Sequence, residues 1–174
     1  MTKNLQDQLA AKYPKILPDI AADMRKPRTA WGIECSDGWY ELLDAGMLEL
    51  QELADLSGIQ IEATQIKEKY GTLSFYFTLK DNKQSNELSV RSSAEHFKAF
   101  DVIVERMEEN SANTCEVTGK PGKVTELRGW YKTLCEEEAT KQGFSTKPWQ
   151  LETKVKNAKK SLEDSNKNSD ISLF

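Results

Sequence analysis

Cys115 and Cys135 are the side chains best placed to do chemistry, because each opens a short step toward a second candidate ligand. Thr118 stands three residues after Cys115, Glu138 stands three after Cys135, and sixteen residues separate Thr118 from Cys135. Paired ligand positions held about 15 to 20 residues apart are the layout of a structural zinc centre, in which a tight turn presents one pair and a following helix the other. Gly119, Pro121 and Gly122 supply that turn. The ligand types do not match the layout, since the Thr118 hydroxyl is a poor zinc donor and a carboxylate such as Glu138 is uncommon in a structural site. The expectation is therefore a degenerate zinc knuckle over residues 114–138, treble-clef-like, with no metal and no cofactor. Cys115 and Cys135 then act as small apolar residues, packed with Val124, Trp130 and Leu134 where a metal would have organised the fold. Residual zinc on Cys115, Cys135 and Glu138 stays open as the alternative, and a Cys115–Cys135 disulfide is the lesser one.

No other set of residues completes a reactive site. His96 is the single histidine, and nothing in the spacing brings it to Cys35 or to another thiol, so catalytic residues are expected to be none. Glu34, Asp37, Glu41 and Asp44 gather around a helix start, where carboxylates complement the helix dipole; chelation of a cation or contact with a basic partner is the rival reading. Lys67, Glu68 and Lys69 read as charges that protect a strand edge. Tyr40, Trp130, Tyr131 and Trp149 are large aromatics beside charged residues, the composition of interface anchors. Lys154, Lys156, Lys159 and Lys160, close to Trp149, are candidates for contact with phosphate or an acidic protein.

The elements that must position these groups follow from periodicity. Leu5, Leu9 and Tyr13 recur at helical spacing until Pro14 and Pro18 interrupt, and Ile20 to Met24 can form a further turn. Pro27 through Ile33 reads as an extended connector. Ser36 or Asp37 is placed to cap a helix that starts near Gly38, carries Trp39, Leu42, Leu43, Met47, Leu50 and Leu53, and stops at Gly58. Ile59, Ile61 and Ala63, then Leu73, Phe75, Phe77 and Leu79, alternate as strands, with the turn at Tyr70-Gly71-Thr72 and a phase slip near Thr64 to Ile66 that predicts a bulge. Residues 81–91 read as loop, and Phe97, Phe100, Ile103, Val104 and Met107 mark a helix over 92–110. A short hairpin, Val124 to Leu127 with Trp130 to Leu134, and a helical turn complete an α+β fold of helices on a small antiparallel sheet. The predicted division is a single domain over 1–140 and a Lys-rich tail over 141–174, part helical near 151–162 and disordered at its end.

Composition narrows the function classes. The 174 residues are 38% hydrophobic and 30% charged, with a formal charge of -4. Together with a mean hydropathy of -0.65, this describes a well-solvated domain with a real core. Apolar runs fall far short of the roughly 20 residues a bilayer span needs. The Met1-Thr-Lys-Asn start shows no apolar signal region, so a cytoplasmic location and no membrane partner are expected. Three cysteines suit reduced thiols in that compartment. The acidic balance favours protein partners over nucleic acid for the domain as a whole.

Three ordered segments add a resemblance. Glu34-Cys35-Ser36-Asp37-Gly38-Trp39, then Lys67-Glu68-Lys69-Tyr70-Gly71-Thr72-Leu73-Ser74-Phe75-Tyr76, then Cys115 through Glu138 resemble a family of small uncharacterised phage and prophage proteins. That family's pattern is Glu-Cys-Gly-Asp-Gly-Trp, Val-Lys-Glu-Lys-Phe-Gly-Thr-Leu-Arg-Phe-Tyr, and a Cys-x2-Cys-Gly-x-Pro-Gly knuckle closing with Thr-Leu-Cys-x2-His. The similarity spans about residues 5–138. Thr118 stands where the family has Cys and Glu138 where it has His, so its metal site does not carry over. The resemblance implies a mobile-element origin and an α+β fold, and transfers no activity.

The function expected from these readings is a non-enzymatic phage or prophage protein that binds and modulates a host protein, a defence system included. A nucleic-acid-associated accessory protein using the basic tail and the knuckle remnant is the alternative. A hydrolase joining Cys35 or His96 to the acidic cluster is the least favoured.

Overall fold

A computed structural model describes residues 1–18, 32–80, 87–145 and 147, and among these it shows four α-helices and five strands. The order is α1 (Lys3–Lys12), β1 (Ile33–Glu34), a 3-10 turn (Asp37–Trp39), α2 (Tyr40–Ser57), β2 (Gln60–Lys69), β3 (Thr72–Lys80), α3 (Glu87–Ser111), β4 (Lys123–Leu127), β5 (Trp130–Leu134) and α4 (Glu136–Gln142). The expected turn at Ile20 to Met24, the connector from Pro27, and the tail with Trp149, Lys154, Lys156, Lys159 and Lys160 lie outside the described residues.

β2 and β3 form the expected antiparallel hairpin, and its register explains the phase slip. Ile61 and Ala63 face the core opposite Leu79 and Phe77; the register then shifts between Ala63 and Gln65, so that Ile66 meets Phe75. A one-residue bulge is what keeps apolar residues of β2 on one face when their spacing changes from two to three. β1 adds a third strand that the periodicity did not reveal, pairing parallel to β2 with Ile33 opposite Ile66. Ile33, Ile66 and Phe75 thus make one buried row across the sheet. This pairing corrects the edge-protection reading for Lys67, which lies opposite Glu34 of β1; the two-residue β1 does not reach Glu68 and Lys69. The exposed long edge belongs to β3, and α3 covers part of it from the side: Ser111 Oγ accepts from Leu73 N at 2.8 Å and Glu108 Oε1 accepts from Phe75 N at 2.8 Å.

The main core lies between this sheet and the helices. α2 contributes Leu43, Met47, Leu50 and Ala54 at steps of four and three, and α3 contributes Phe100, Val104 and Met107 in the same rhythm. Gly46 lets the two helices meet, since a Cβ there would lie 2.2 Å from Met107 Sδ. Gly58 ends α2 in the left-handed region at φ 72°, as its lack of a Cβ permits. α3 begins at Glu87, earlier than the expected start at 92.

The expected cap of α2 is not formed. Neither Ser36 nor Asp37 makes a side-chain cap bond; Asp37 Oδ1 accepts from Thr2 N at 2.6 Å and Ser36 bonds to Glu116. These side chains fasten the start of the chain and the later hairpin to the core, which removes them from the helix terminus.

β4, β5 and α4 surround a second, smaller cluster of Cys115, Leu134, Cys135 and Ala139, with Val117 and Phe144 packed against it. Phe144 shows that packed chain continues past residue 140.

Candidate functional site

The turn after α3 is built almost entirely from backbone bonds. Gly119 N donates to Cys115 O at 2.9 Å, Cys115 N to Lys120 O at 2.8 Å, and Gly122 N to Asn113 O at 2.8 Å. Gly119 reverses the chain at φ 72°, a conformation costly to residues with a Cβ. Inside the turn, burial pushes the Cys115 thiol up, but the nearby Thr118 hydroxyl and the backbone amides of Cys135, Thr118 and Val117 outweigh it and hold the thiol below its usual value. Thr118 Oγ1 also lies 3.7 Å from Cys135 Sγ. One hydroxyl therefore stands beside both sulfurs.

Glu138 does not join them. Its Oε2 accepts from Gln142 Nε2 at 3.0 Å and its Oε1 from Lys141 Nζ at 3.3 Å. The Gln142 bond, with smaller help from Lys141, holds this carboxyl below its usual range. Among the described residues, no three His, Cys, Asp or Glu side chains come together in a way that could hold a metal. The arrangement is two thiols, a hydroxyl and a helix start packed on apolar carbon.

Trp130 and Val124 are absent from that packing, a correction to the sequence reading. Trp130 is 77% exposed and Val124 37% exposed, whereas Leu134 is fully buried. The register gives the reason. Leu134 pairs with Lys123 at the open end of the hairpin, against Cys115 and α4, while Trp130 pairs with Leu127 beside the two-residue turn at the other end. Val124 shares with Thr133 the face turned to the β2–β3 turn, where Thr133 Oγ1 donates to Gly71 O at 2.6 Å.

That contact sets the β2–β3 turn against the strands of β4–β5 toward the end away from their own turn, and the two hairpins use one turn design. Lys69 pairs with Thr72 and Leu127 with Trp130, leaving two-residue turns, Tyr70-Gly71 and Arg128-Gly129. All four turn residues have positive φ: 53° at Tyr70, 87° at Gly71, 53° at Arg128 and 84° at Gly129. This matches the twist that two-residue hairpins prefer. In each, a glutamate three residues before the glycine accepts its amide, Glu68 Oε1 from Gly71 N and Glu126 Oε1 from Gly129 N, both at 2.6 Å. The turns are thereby fixed while their side chains stand out. Tyr70 is 74% exposed, and Tyr131, which shares the strand face of Thr133, is 44% exposed.

Charges of both signs surround these turns, with Glu34 opposite Lys67 and Glu68 and Glu126 beside their own glycines. Lys69 Nζ lies 5.7 Å from the Tyr70 ring centre and Lys67 Nζ 5.6 Å from that of Tyr76. Arg128 and Lys132 flank Trp130 and Tyr131. Among the described residues, none of Lys67, Lys69, Arg128 and Lys132 forms an ion pair.

The remaining sequence candidates are dispersed. Tyr40 packs half-buried on the main core with its hydroxyl 3.3 Å from Gln8 Oε1, so it does not join the hairpin ends. Asp44 is held by Lys12 at 2.7 Å and by the Tyr13 hydroxyl at 2.9 Å, Glu34 receives Gln65 at 3.5 Å, and Asp37 receives Thr2. Glu41 lines a groove of about 400 Å³ between α2 and α3, crossed by the Glu49–Arg106 ion pair. The four carboxylates thus make no shared site. His96 is half-buried on α3. Cys35 is buried, and burial, opposed by the N-terminal ammonium and aided by Glu116 and Asp37, pushes its thiol up to about 12, which makes it a poor nucleophile.

Two positions escaped sequence reasoning. Tyr70 was legible as turn, and its aromatic ring on a two-residue turn could have signalled exposure. Glu116 is only 4% exposed, accepting from Ser36 N at 2.9 Å and Ser36 Oγ at 2.8 Å through Oε1, while Oε2 has no bonding partner. No sequence pattern marks a buried glutamate whose partner lies 80 residues away. Comparison with protein-family models, curated proteins and solved structures found no match.

Proposed function

We propose that the protein is a non-enzymatic binding module that docks on another protein through the exposed aromatic rings of its two hairpins. The observation that carries this reading is the exposure of Tyr70 on a turn locked by Glu68, and of Trp130 and Tyr131 on the strand that leaves a turn locked by Glu126. Rigid aromatics lose little freedom on binding and supply most of the energy at protein interfaces. The turn at Cys115 and the helix at Cys135 serve as scaffold, a knuckle that keeps its backbone and packs on two thiols in place of a metal. The three motif segments extend the reading to a phage or prophage factor acting on a host protein in the bacterial cytoplasm, a defence component included.

Affinity capture from a bacterial lysate with mass spectrometry tests it, comparing the native protein with Trp130→Ala and Tyr70→Ala. A partner recovered reproducibly by the native chain and lost with either variant is the expected result. Retention of every partner by both variants would remove the hairpin ends from the function.

A further inference from the structure

We propose that the groove between α2 and α3 is the seat of this chain's own residues 149–162, which lie outside the described ones. The groove holds about 400 Å³ over a floor of Leu42, Ala45, Gly46 and Met107, with the Glu49–Arg106 ion pair across it. Apolar surface runs on past that pair. Leu56 stands two helical turns on from Glu49 and Val102 one turn before Arg106, 88% and 60% exposed. Exposed apolar carbon that continues a groove is surface for another segment to cover.

The walls stay acidic when the cations around them are counted. α2 has five carboxylates and no lysine or arginine, and α3 has six carboxylates against Arg91, Lys98 and Arg106. From outside the two helices, Lys12 pairs with Asp44 and Lys15 with Asp55. Glu41 lines the groove, and Glu52 and Glu109 stand three residues on from Glu49 and Arg106. A basic segment with one apolar side is the complement of such a groove.

The rest of the chain supplies one. Seven lysines and four carboxylates fall in residues 141–174, so the formal charge of -4 divides into -7 for residues 1–140 and +3 for the remainder. Leu151, Val155, Ala158 and Leu162 recur at steps of four, three and four, one apolar stripe if the segment is helical. Lys154, Lys156, Lys159 and Lys160 lie among them, against Glu152 alone. Reach and length agree with this seat. Phe144 packs beside Cys115, and Thr114, next in the chain, lines one end of the groove. The four steps from Ser145 to Trp149 can span up to about 14 Å. Residues 149–162 as a helix would be about 21 Å long, and α3 from Val102 to Asn113 runs about 17 Å. Trp149 would then enter at the Thr114 end and Leu162 lie toward Leu56.

Hydrogen exchange with mass spectrometry on the full chain tests the proposal. Backbone amides of residues 151–162 should exchange at least about tenfold more slowly than in a synthetic peptide of the same sequence. Glu41→Lys with Glu52→Lys, both at exposed positions, should return them to the peptide's rate while β2 and β3 keep their protection. Val155→Asp, which changes only the occupant, should do the same. Carbodiimide coupling should join the lysines of 154–160 to Glu41, Glu49, Glu52 or Glu109 within one chain. The inference is overturned if residues 151–162 exchange as fast as the peptide, or if either variant leaves their protection unchanged. It is overturned equally if, in a mixture of unlabelled and isotope-labelled protein, the coupling joins one kind of chain to the other, which would seat a second copy's segment in the groove.

Discussion

Gly38→Ala should separate the hairpin unit from the main core. Gly38 lies in the 3-10 turn before α2, and its φ is not in the left-handed region. Local propensity alone therefore favours alanine there, by up to about 1 kcal/mol. The tertiary structure opposes it. A Cβ at residue 38 would lie 2.4 Å from Cys115 O, 2.5 Å from Gly119 N and 2.6 Å from Glu116 O, all backbone atoms that cannot rotate away. Relieving that overlap costs about 1–3 kcal/mol. Displacing the turn also loses the 2.8 Å bond from Gly38 N to Glu116 O, worth about 1 kcal/mol. The net destabilisation is about 2 kcal/mol, which at a urea slope of about 2 kcal/mol per molar lowers the midpoint by about 1 M. Gly58→Ala is the control: its φ is 72° with nothing within 4 Å of the added carbon, so it pays only the backbone term of about 1–2 kcal/mol. Urea unfolding followed by circular dichroism measures both. A Gly38→Ala midpoint within about 0.3 M of the native value would refute the steric argument.

Thr118→Cys combined with Glu138→His should create a zinc site, because Cys115 and Cys135 share one buried cluster and Thr118 Oγ1 already lies 3.7 Å from Cys135 Sγ; elemental analysis of purified protein should find one zinc per chain, and a metal-free double variant would mean the positions do not converge. Burial raises the Glu108 carboxyl, against the Phe75 amide bond and with help from Asp101 and Glu105. An acid raised on folding binds its proton more tightly in the native state, so its favourable contribution is present at low pH and is lost as pH rises from about 4.5 through the folded value. Glu108→Gln keeps an acceptor for Phe75 N and should flatten that part of the stability profile; denaturation at pH 5 and pH 7 that shows the same slope in both proteins would contradict this. Cys35, with its thiol pushed up to about 12, should resist iodoacetamide at pH 8 in the folded protein and react once urea unfolds it, read by peptide mass mapping; rapid native labelling at that position would disprove its burial.

Alternation along Leu73 to Leu79, the change of phase near Thr64, the apolar rhythm of α2 and α3, and Gly58 as a stop were all readable in order of residues, because each depends on neighbours within one or two turns of chain. The α+β class followed from them. The spacing of Cys115, Thr118, Cys135 and Glu138 likewise pointed to a region where two sulfurs meet, since a turn and a following helix are local structures. It could not say which way side chains at the far end of the hairpin would face. Trp130 looks like core by its chemistry, and only the length of β5 relative to α4 leaves it in solvent. Strand β1, two residues long, carries no periodicity to detect, and its pairing with Ile66 and Lys67 is settled by the sheet. The acidic cluster at 34–44 dissolved because Glu34, Asp37 and Asp44 each found a separate partner, from β2, the N-terminal segment and α1, while Glu41 faces the groove between α2 and α3.

By itself, then, the sequence determined what short-range sterics and hydrophobic period can encode: most of the elements, their buried faces, the glycine turns and the spacing of Cys115, Thr118, Cys135 and Glu138. Tertiary structure alone decided how the two hairpins meet through Thr133 and Gly71, that Glu116 is buried against Ser36, and that Tyr70, Trp130 and Tyr131 stand exposed. Those outcomes depend on contacts between residues 62 and 80 positions apart, where no local pattern reaches and only the packing of whole elements fixes which groups are covered.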